Sequence, residues 1–447
     1  MRDLLQETES LFPQNRVSPE ANRLSAEDRP AHDWYRFVLS FPPHLVRDYI
    51  ARFGLTGGHR VLDPFCGTGT TVVECKKQGI GSVGVEAHPL SHFAGATKIN
   101  WRVDPDLLEE ISRRIADNAL EKLEADHIID DPQRSLINEL PPPRRLRTLA
   151  AEQKDLLLAN SISPLPLHKT LVLLDCITPF ANASCHSHLL VALAKALSGP
   201  IGNLHFGPEV GVGPPKADAP VVSAWLKGVF QIARDLRGLR RNAGIPAVIH
   251  HADSRNLAGA VESASIDAVI TSPPYPNEKD YTRTTRLESV LLGFVSSKKE
   301  LQNLKRTMLR SNTRGVYKSD TDDAWVEKHV EIQRVANAIE ARRIELGKTS
   351  GFERLYARVT RLYFGGMARH LADMRRLLRP NAQLAYVVGD QASYLRIMIR
   401  TGQIIASIAE GLGYEVVGID LFRTRLATAS RAQLREEIVV LRWPGTR

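Results

Sequence analysis

Thr271-Ser272-Pro273-Pro274-Tyr275 follows an apolar run (Ile266, Ala268, Val269, Ile270) that reads as a strand ending in a rigid turn. Two prolines fix φ and remove two backbone donors, so the turn offers carbonyls, one hydroxyl and an aromatic face to whatever lies above it. That is a platform for an amine on a flat ring. The ring would stack on Tyr275 while its NH2 donates to the Ser272 hydroxyl and the Pro273 carbonyl, and a nucleobase fits this description. A Pro-Pro pair after a strand also describes an ordinary stiff loop, so the chemistry needs a second element.

That element lies upstream. His59 to Thr71 reads as a strand, a glycine-rich turn and a helix start, the geometry that binds a nucleotide-like ligand at a strand's carboxyl end. Asp63, Phe65, Gly67, Gly69 and Thr70 are its candidate binding residues. Val72 stands where a dinucleotide fingerprint needs its third glycine, which disfavours a pyrophosphate cradle. A second strand, Val83-Gly84-Val85, ends on Glu86, a carboxylate able to accept both hydroxyls of a ribose. A third, Ala247 to His250, runs into Asp253, which can accept from an adenine amino group. Each acid fits a helix cap or a solvated loop equally well when taken alone.

Taken in order, these residues resemble the S-adenosylmethionine-dependent amino methyltransferases that act on DNA bases. Asp63 to Thr70 is similar to their cofactor loop, Glu86 to their ribose acid, Asp253 to their adenine acid, and Ser272, Pro273, Pro274 and Tyr275 to their catalytic tetrapeptide. The segment 32–53, with Trp34, Tyr35, Phe37, Phe41 and Pro42-Pro43, sits where that family places a helix closing over the cofactor's methionine end; an aromatic-rich amphipathic helix also suits a core. The resemblance implies an α/β fold: a class I, Rossmann-like, mostly parallel seven-stranded sheet with helices on both faces and added helical insertions. It implies S-adenosyl-L-methionine as cofactor and double-stranded DNA as partner, with the enzyme acting alone or beside a cognate restriction endonuclease. Serine at the first position of the tetrapeptide is typical of cytosine-N4 methylation and Asp or Asn of adenine-N6, so cytosine N4 is expected, with adenine N6 as the alternative. An RNA amine methyltransferase, or a catalytically silent nucleic-acid-binding protein of the same fold, stays open as well.

The elements that must position these residues divide the chain. We expect a loosely ordered 1–30, a cofactor-binding part over 31–102, a mainly helical insertion over 103–245, an adenine-binding and catalytic part over 246–295, a basic insertion over 296–349, and the end of the catalytic domain over 350–447. Within 103–245, helical periodicity marks Leu107 to Asp126, His188 to Leu197 and Val222 to Leu239, with Pro141-Pro142-Pro143 as a break. Tyr363 to Pro380 reads as a helix, Gln383 to Gly389 as a strand, and Tyr414 to Leu421 with Glu437 to Leu441 as a terminal hairpin. Either insertion is a candidate for reading DNA sequence.

A net charge of +9 and a pI near 9.4 favour an anionic partner. From Ser296 to Ser319, Lys298, Lys299, Lys305, Arg306, Arg310, Arg314 and Lys318 face only Glu300. Their position just beyond the catalytic turn makes Lys305, Arg306, Arg310 and Arg314 candidate phosphate contacts. The cysteines, Cys66, Cys75, Cys176 and Cys185, show no pairing or zinc-type spacing, so neither disulfide nor metal is expected. None follows a proline, which speaks against the Pro-Cys nucleophile needed to methylate carbon 5 of cytosine. With no signal pattern or long apolar span, a cytoplasmic protein of bacterial or phage type is expected.

Overall fold

The computed structural model describes residues 24–36, 40–130, 145–206, 210–277, 279–426 and 433–445. Most of the 1–30 stretch, Phe37 and the Pro141 to Pro143 break lie outside them. Seven strands form one sheet: β1 (Arg60–Asp63), β2 (Gly81–Glu86), β3 (Ala247–His251), β4 (Ile266–Thr271), β5 (Leu378–Gly389), β6 (Glu415–Leu426) and β7 (Gln433–Trp443). Their order is β3-β2-β1-β4-β5-β7-β6, parallel throughout except that β7 runs against both neighbours.

The central strands are short apolar runs because both of their faces are covered. On one face, Leu62, Val83, Val85, Val269 and Leu384 pack with the helix Tyr356–Met374. On the other, Val61, Ala268, Ile270 and Ala385 pack against Leu45, Val46 and Tyr49 of α1 (Pro43–Arg52). Alternate residues of β1 thus serve two cores. Helices α2 (Thr70–Lys77) and α3 (Pro89–Lys98) follow β1 and β2. The Tyr356–Met374 helix starts earlier and stops sooner than its periodicity predicts, and β5 begins at Leu378, ahead of the expected Gln383. The reason is a β-bulge: Ile266 pairs with Leu378, Ala268 pairs with Gln383, and the intervening Asn381 takes a positive φ of 67°.

The stretch between β2 and β3 is mostly helical, with one short antiparallel ribbon of Leu204–Phe206 and Val210–Val212. In α4 (Pro105–Ala125), Asp104 caps the start through the Asp106 amide, and Leu108, Ile111, Ile115, Ala119 and Leu123 form one buried stripe. In α5 (Val221–Leu239) the orphan amides of Val221 and Ser223 are satisfied by Asp130 at 2.8 and 3.0 Å. Trp225 donates to the Leu189 carbonyl at 2.9 Å. This layer is continuous with the sheet domain, sharing a core with Trp34, Tyr35, Leu90 and Ala94. The aromatic residues Trp34 and Tyr35 are therefore core, and the helix expected over 32–53 reduces to Pro43–Arg52. The second insertion contains α6 (Lys298–Thr307), capped by Ser297 on the Glu300 amide, and α7 (Val330–Glu345). We call the Tyr356–Met374 helix α8.

Candidate active site

The strand order reverses between β1 and β4, which pair at Val61↔Ala268 and Leu62↔Val269, so their carboxyl ends open into one crevice. The turn after β1 passes through Gly67 and Gly69 at φ of 53° and 86°, and Gly69 then caps α2. The turn after β4 is the Ser-Pro-Pro-Tyr segment. One cavity is lined from one side by Phe65, Gly67, Thr70 and Glu86, and from the other by Ser272, Pro273, Pro274 and Tyr275. Two motifs some two hundred residues apart in sequence thus face each other across a single space.

Asp63 does not line that cavity; it is wholly buried beneath it. Its Oδ1 accepts from the Thr271 hydroxyl at 2.6 Å and the Phe65 amide at 3.2 Å, joining the ends of β1 and β4. Its Oδ2 has no partner among the described residues. Burial pushes the Asp63 carboxyl up to about 6, against the pull of those hydrogen bonds. Glu86 accepts from the Gly67 amide at 2.8 Å through Oε2 and from the His88 amide at 2.7 Å through Oε1. Burial lifts its carboxyl to about 7. A carboxylate offers about four acceptor positions, so Glu86 is oriented by the turn and still has lone pairs to offer the cavity.

The Ser272 hydroxyl donates to the Val387 carbonyl on β5 at 3.2 Å. The Tyr275 ring lies against the backbone of Gly389, where a Cβ would come within 3.0 Å of Cε2. Asp390, next in sequence, is buried, pairs with Arg400 and is not among the lining residues. Asp253 is not among the lining residues; its neighbour Ser254 is. The Asp253 carboxylate is gripped by the Arg255 guanidinium, with Nη2 to Oδ2 at 2.6 Å and Nε to Oδ1 at 3.0 Å.

The basic run is split by the fold. Arg306 and Arg314 are exposed, over the rings of Tyr317 and Phe352. Lys305 and Arg310 are not positioned as expected. Lys305 pairs with Asp280 at 2.7 Å, and Arg310, only 4% exposed, makes a two-pronged contact with Asp320 at 2.7 and 2.9 Å. Both are internal struts: Asp320 lies one residue beyond the charge run, and Asp280 sits in the loop that follows the proline turn.

Of the segment expected to close over the cofactor, Phe41 and Pro42, just before α1, do line the cavity. Pattern reading misses other walls: Lys279 and Tyr281 follow the proline turn, and Arg423 with Glu436 comes from the β6–β7 hairpin. Arg423 and Glu436 form an ion pair at 2.5 Å. The stretch 307–309 of the basic insertion also lines the cavity and is latched in place: the Asn277 amide donates to the Ser311 carbonyl at 3.2 Å, and Asn312 Nδ2 to the Lys279 carbonyl at 3.1 Å. Proximity to the turn is the one sequence signal for Lys279 and Tyr281. Among the described residues no set of His, Cys, Asp or Glu side chains is grouped to hold a metal ion, and no helix is long and apolar enough to cross a membrane. The four cysteines are buried and free.

A seven-stranded sheet of this order, with a ligand crevice between β1 and β4, is the class I methyltransferase architecture. A family model described as DNA methylase, covering N6 and N4 methyltransferases, matches residues 3–92, which include the glycine-rich turn and Glu86. The Type II methyltransferase M.BsoBI of Geobacillus stearothermophilus is 25% identical over 481 aligned residues, spanning 99% of this chain and 90% of that protein. The Type II methyltransferase M.AvaI of a Nostoc species is 25% identical over 454, spanning 96% of this chain and 89% of its own. The chain is thus similar along nearly its whole length to Type II methyltransferases, and in its first part to the DNA methylase family model.

Proposed function

We propose that this protein methylates the exocyclic N4 amine of cytosine in double-stranded DNA, using S-adenosylmethionine held between the glycine-rich turn and Glu86. The observation that carries the proposal is the single cavity shared by that turn and the Ser-Pro-Pro-Tyr platform. The residues suit the cofactor: a ribose diol finds Glu86 on the cavity wall with lone pairs to offer, while the buried Asp63 braces the turn from below through Thr271 and the Phe65 amide. When bound, the cofactor supplies an electrophilic methyl group. Asp253 is assigned to its adenine amine.

The Ser272 hydroxyl hydrogen is committed to Val387, which leaves the Oγ lone pairs to accept. A target NH2 can then donate one hydrogen to Ser272 Oγ and the other to the Pro273 carbonyl. Holding both hydrogens draws the nitrogen lone pair out of conjugation with the ring and aims it into the cavity. Rate acceleration in this scheme comes from positioning and fixed dipoles rather than from a strong base. The target base must leave the duplex, and stacking on Tyr275, at about 1 to 3 kcal/mol, offsets much of an unstacking cost of a few kcal/mol.

Cytosine is assigned over adenine on the serine that opens the tetrapeptide. Phosphate contact is assigned to the exposed Arg306 and Arg314, which places the 296–349 insertion on the DNA side. The Type II relatives favour action in a bacterial or phage modification system, with a cognate restriction endonuclease as partner. Incubating the protein with unmethylated genomic DNA and S-adenosylmethionine, then identifying nucleosides by mass spectrometry, tests the assignment. N4-methylcytosine is expected; N6-methyladenine would keep the mechanism and overturn the base, and no methylated nucleoside would overturn both.

A further inference from the structure

Arg255 joins the proposed adenine acid to the second insertion through one buried guanidinium, 6% exposed. Its Nε and Nη2 grip both oxygens of Asp253. Its Nη1 donates to Asp322 Oδ2 at 2.6 Å, and Nη2 also reaches the Arg306 carbonyl at 3.1 Å. Asp322 is itself pinned. Its other oxygen accepts from Arg369 at 3.2 Å, and its carbonyl lies so close to α8 that a Cβ on Gly365 would be 1.9 Å away. From the opposite side, the intervening Ser254 carbonyl bonds His370 Nδ1 at 2.7 Å.

We propose that Arg255 and Asp322 are positioning residues for the cofactor, with Arg255 setting the angle of the Asp253 carboxylate and Asp322 holding Arg255 in place. The inference rests on the assignment of Asp253 to the adenine amine. A clamp that served only to fasten the insertion would need the Arg255–Asp322 pair alone. Here the same guanidinium spans two carboxylates, and one of them, Asp253, is partly exposed and gains little from pairing as stability. What the planar fork adds is direction: together with the Arg255 amide on Oδ1 at 2.9 Å, it fixes the angle of the carboxylate. The cofactor site would then depend on a residue of the segment that also carries Arg306 and Arg314.

The test is Asp322→Asn in the full chain, with S-adenosylmethionine binding read by calorimetry and KM and kcat read on genomic DNA. Because Asp322 acts at a distance, the cofactor KM should rise about three- to thirtyfold, with the loss falling on KM rather than kcat. In an Asp253→Ala background the same change should add nothing further, since the two act as one unit. Arg255→Lys keeps the charge and loses the fork; it should reproduce the KM effect and serves where Asp322→Asn does not fold. An unchanged cofactor KM in both variants, or effects that simply multiply with Asp253→Ala, would overturn the inference while leaving the cofactor assignment intact. A wild-type protein that binds no S-adenosylmethionine would remove that assignment and the inference with it.

Discussion

Glu86 gives the cofactor assignment a pH signature. Its carboxyl is lifted to about 7 by burial, so it changes charge near neutrality. A ribose diol donates to the ionised form, hence affinity for S-adenosylmethionine should fall as pH drops through 7. With a pKa near 7, roughly nine-tenths of Glu86 is ionised at pH 8 and one-tenth at pH 6, which predicts about a tenfold rise in Kd across that interval. Binding at pH 7 should release about half a proton, readable by calorimetry in buffers of different ionisation heat. Stability of the unliganded protein has the opposite slope. A carboxyl raised from 4.5 to about 7 costs the folded state about 3 kcal/mol when ionised, and this cost is relieved as pH falls from 7 toward 4.5. The control is Glu86→Gln: any pH dependence it retains belongs to Asp63 or to the ligand's own ammonium. If wild type and Glu86→Gln show parallel Kd profiles from pH 8 to 6, Glu86 is not the ribose acid and the argument fails.

Four further outcomes test other parts of the site. Ser272→Ala should lower methyl transfer about a hundredfold, the scale for losing one positioned hydrogen-bonding group, with cofactor Kd unchanged; single-turnover rates beside calorimetry decide it. Arg310→Ala leaves Asp320 buried without its partner and should cost roughly 3 to 5 kcal/mol in denaturant unfolding. Arg306→Ala with Arg314→Ala should leave unfolding nearly unchanged and reduce the salt slope of DNA binding by about two. Gly389→Ala drives a methyl group to 3.0 Å from the Tyr275 ring and should lower turnover roughly ten- to a hundredfold without weakening S-adenosylmethionine, measured by the same pair of assays.

The parts of this protein legible in its sequence are those with local causes. Glycines at the β1 turn, prolines at the β4 turn and an acid closing β2 each announce their geometry within a few residues. Continuous apolar runs identify strands covered on both faces. What stays hidden is decided by pairing at long range. Nothing near Lys305 or Arg310 indicates that Asp280 and Asp320 will neutralise them, so a charge run that looks uniform resolves into two internal struts among exposed cations. Asp253 likewise looks free until Arg255, two residues away, turns back on it. Arg423 and Glu436 reach the cavity because the hairpin's register with β5 carries them there, and periodicity holds no trace of that.

The loop after the proline turn, the basic insertion and the half that carries the glycine-rich turn are joined more closely than their separation in sequence implies. The loop after Tyr275 is bonded to the insertion at Asn277, Lys279 and Asp280. The insertion is bonded to the β3 acid through Asp322 and Arg255. A force on Arg306 or Arg314 from a bound phosphate backbone would therefore act on a segment anchored to both reacting halves. By thermodynamic reciprocity, a segment that DNA stiffens must bind cofactor differently, and cofactor must alter DNA affinity by the same factor. Measuring DNA affinity with and without S-adenosyl-L-homocysteine, in wild type and Asp322→Asn, puts a number on that link. Coupling that persists in the variant would route it through the cavity's shared walls rather than through the Arg255 bridge.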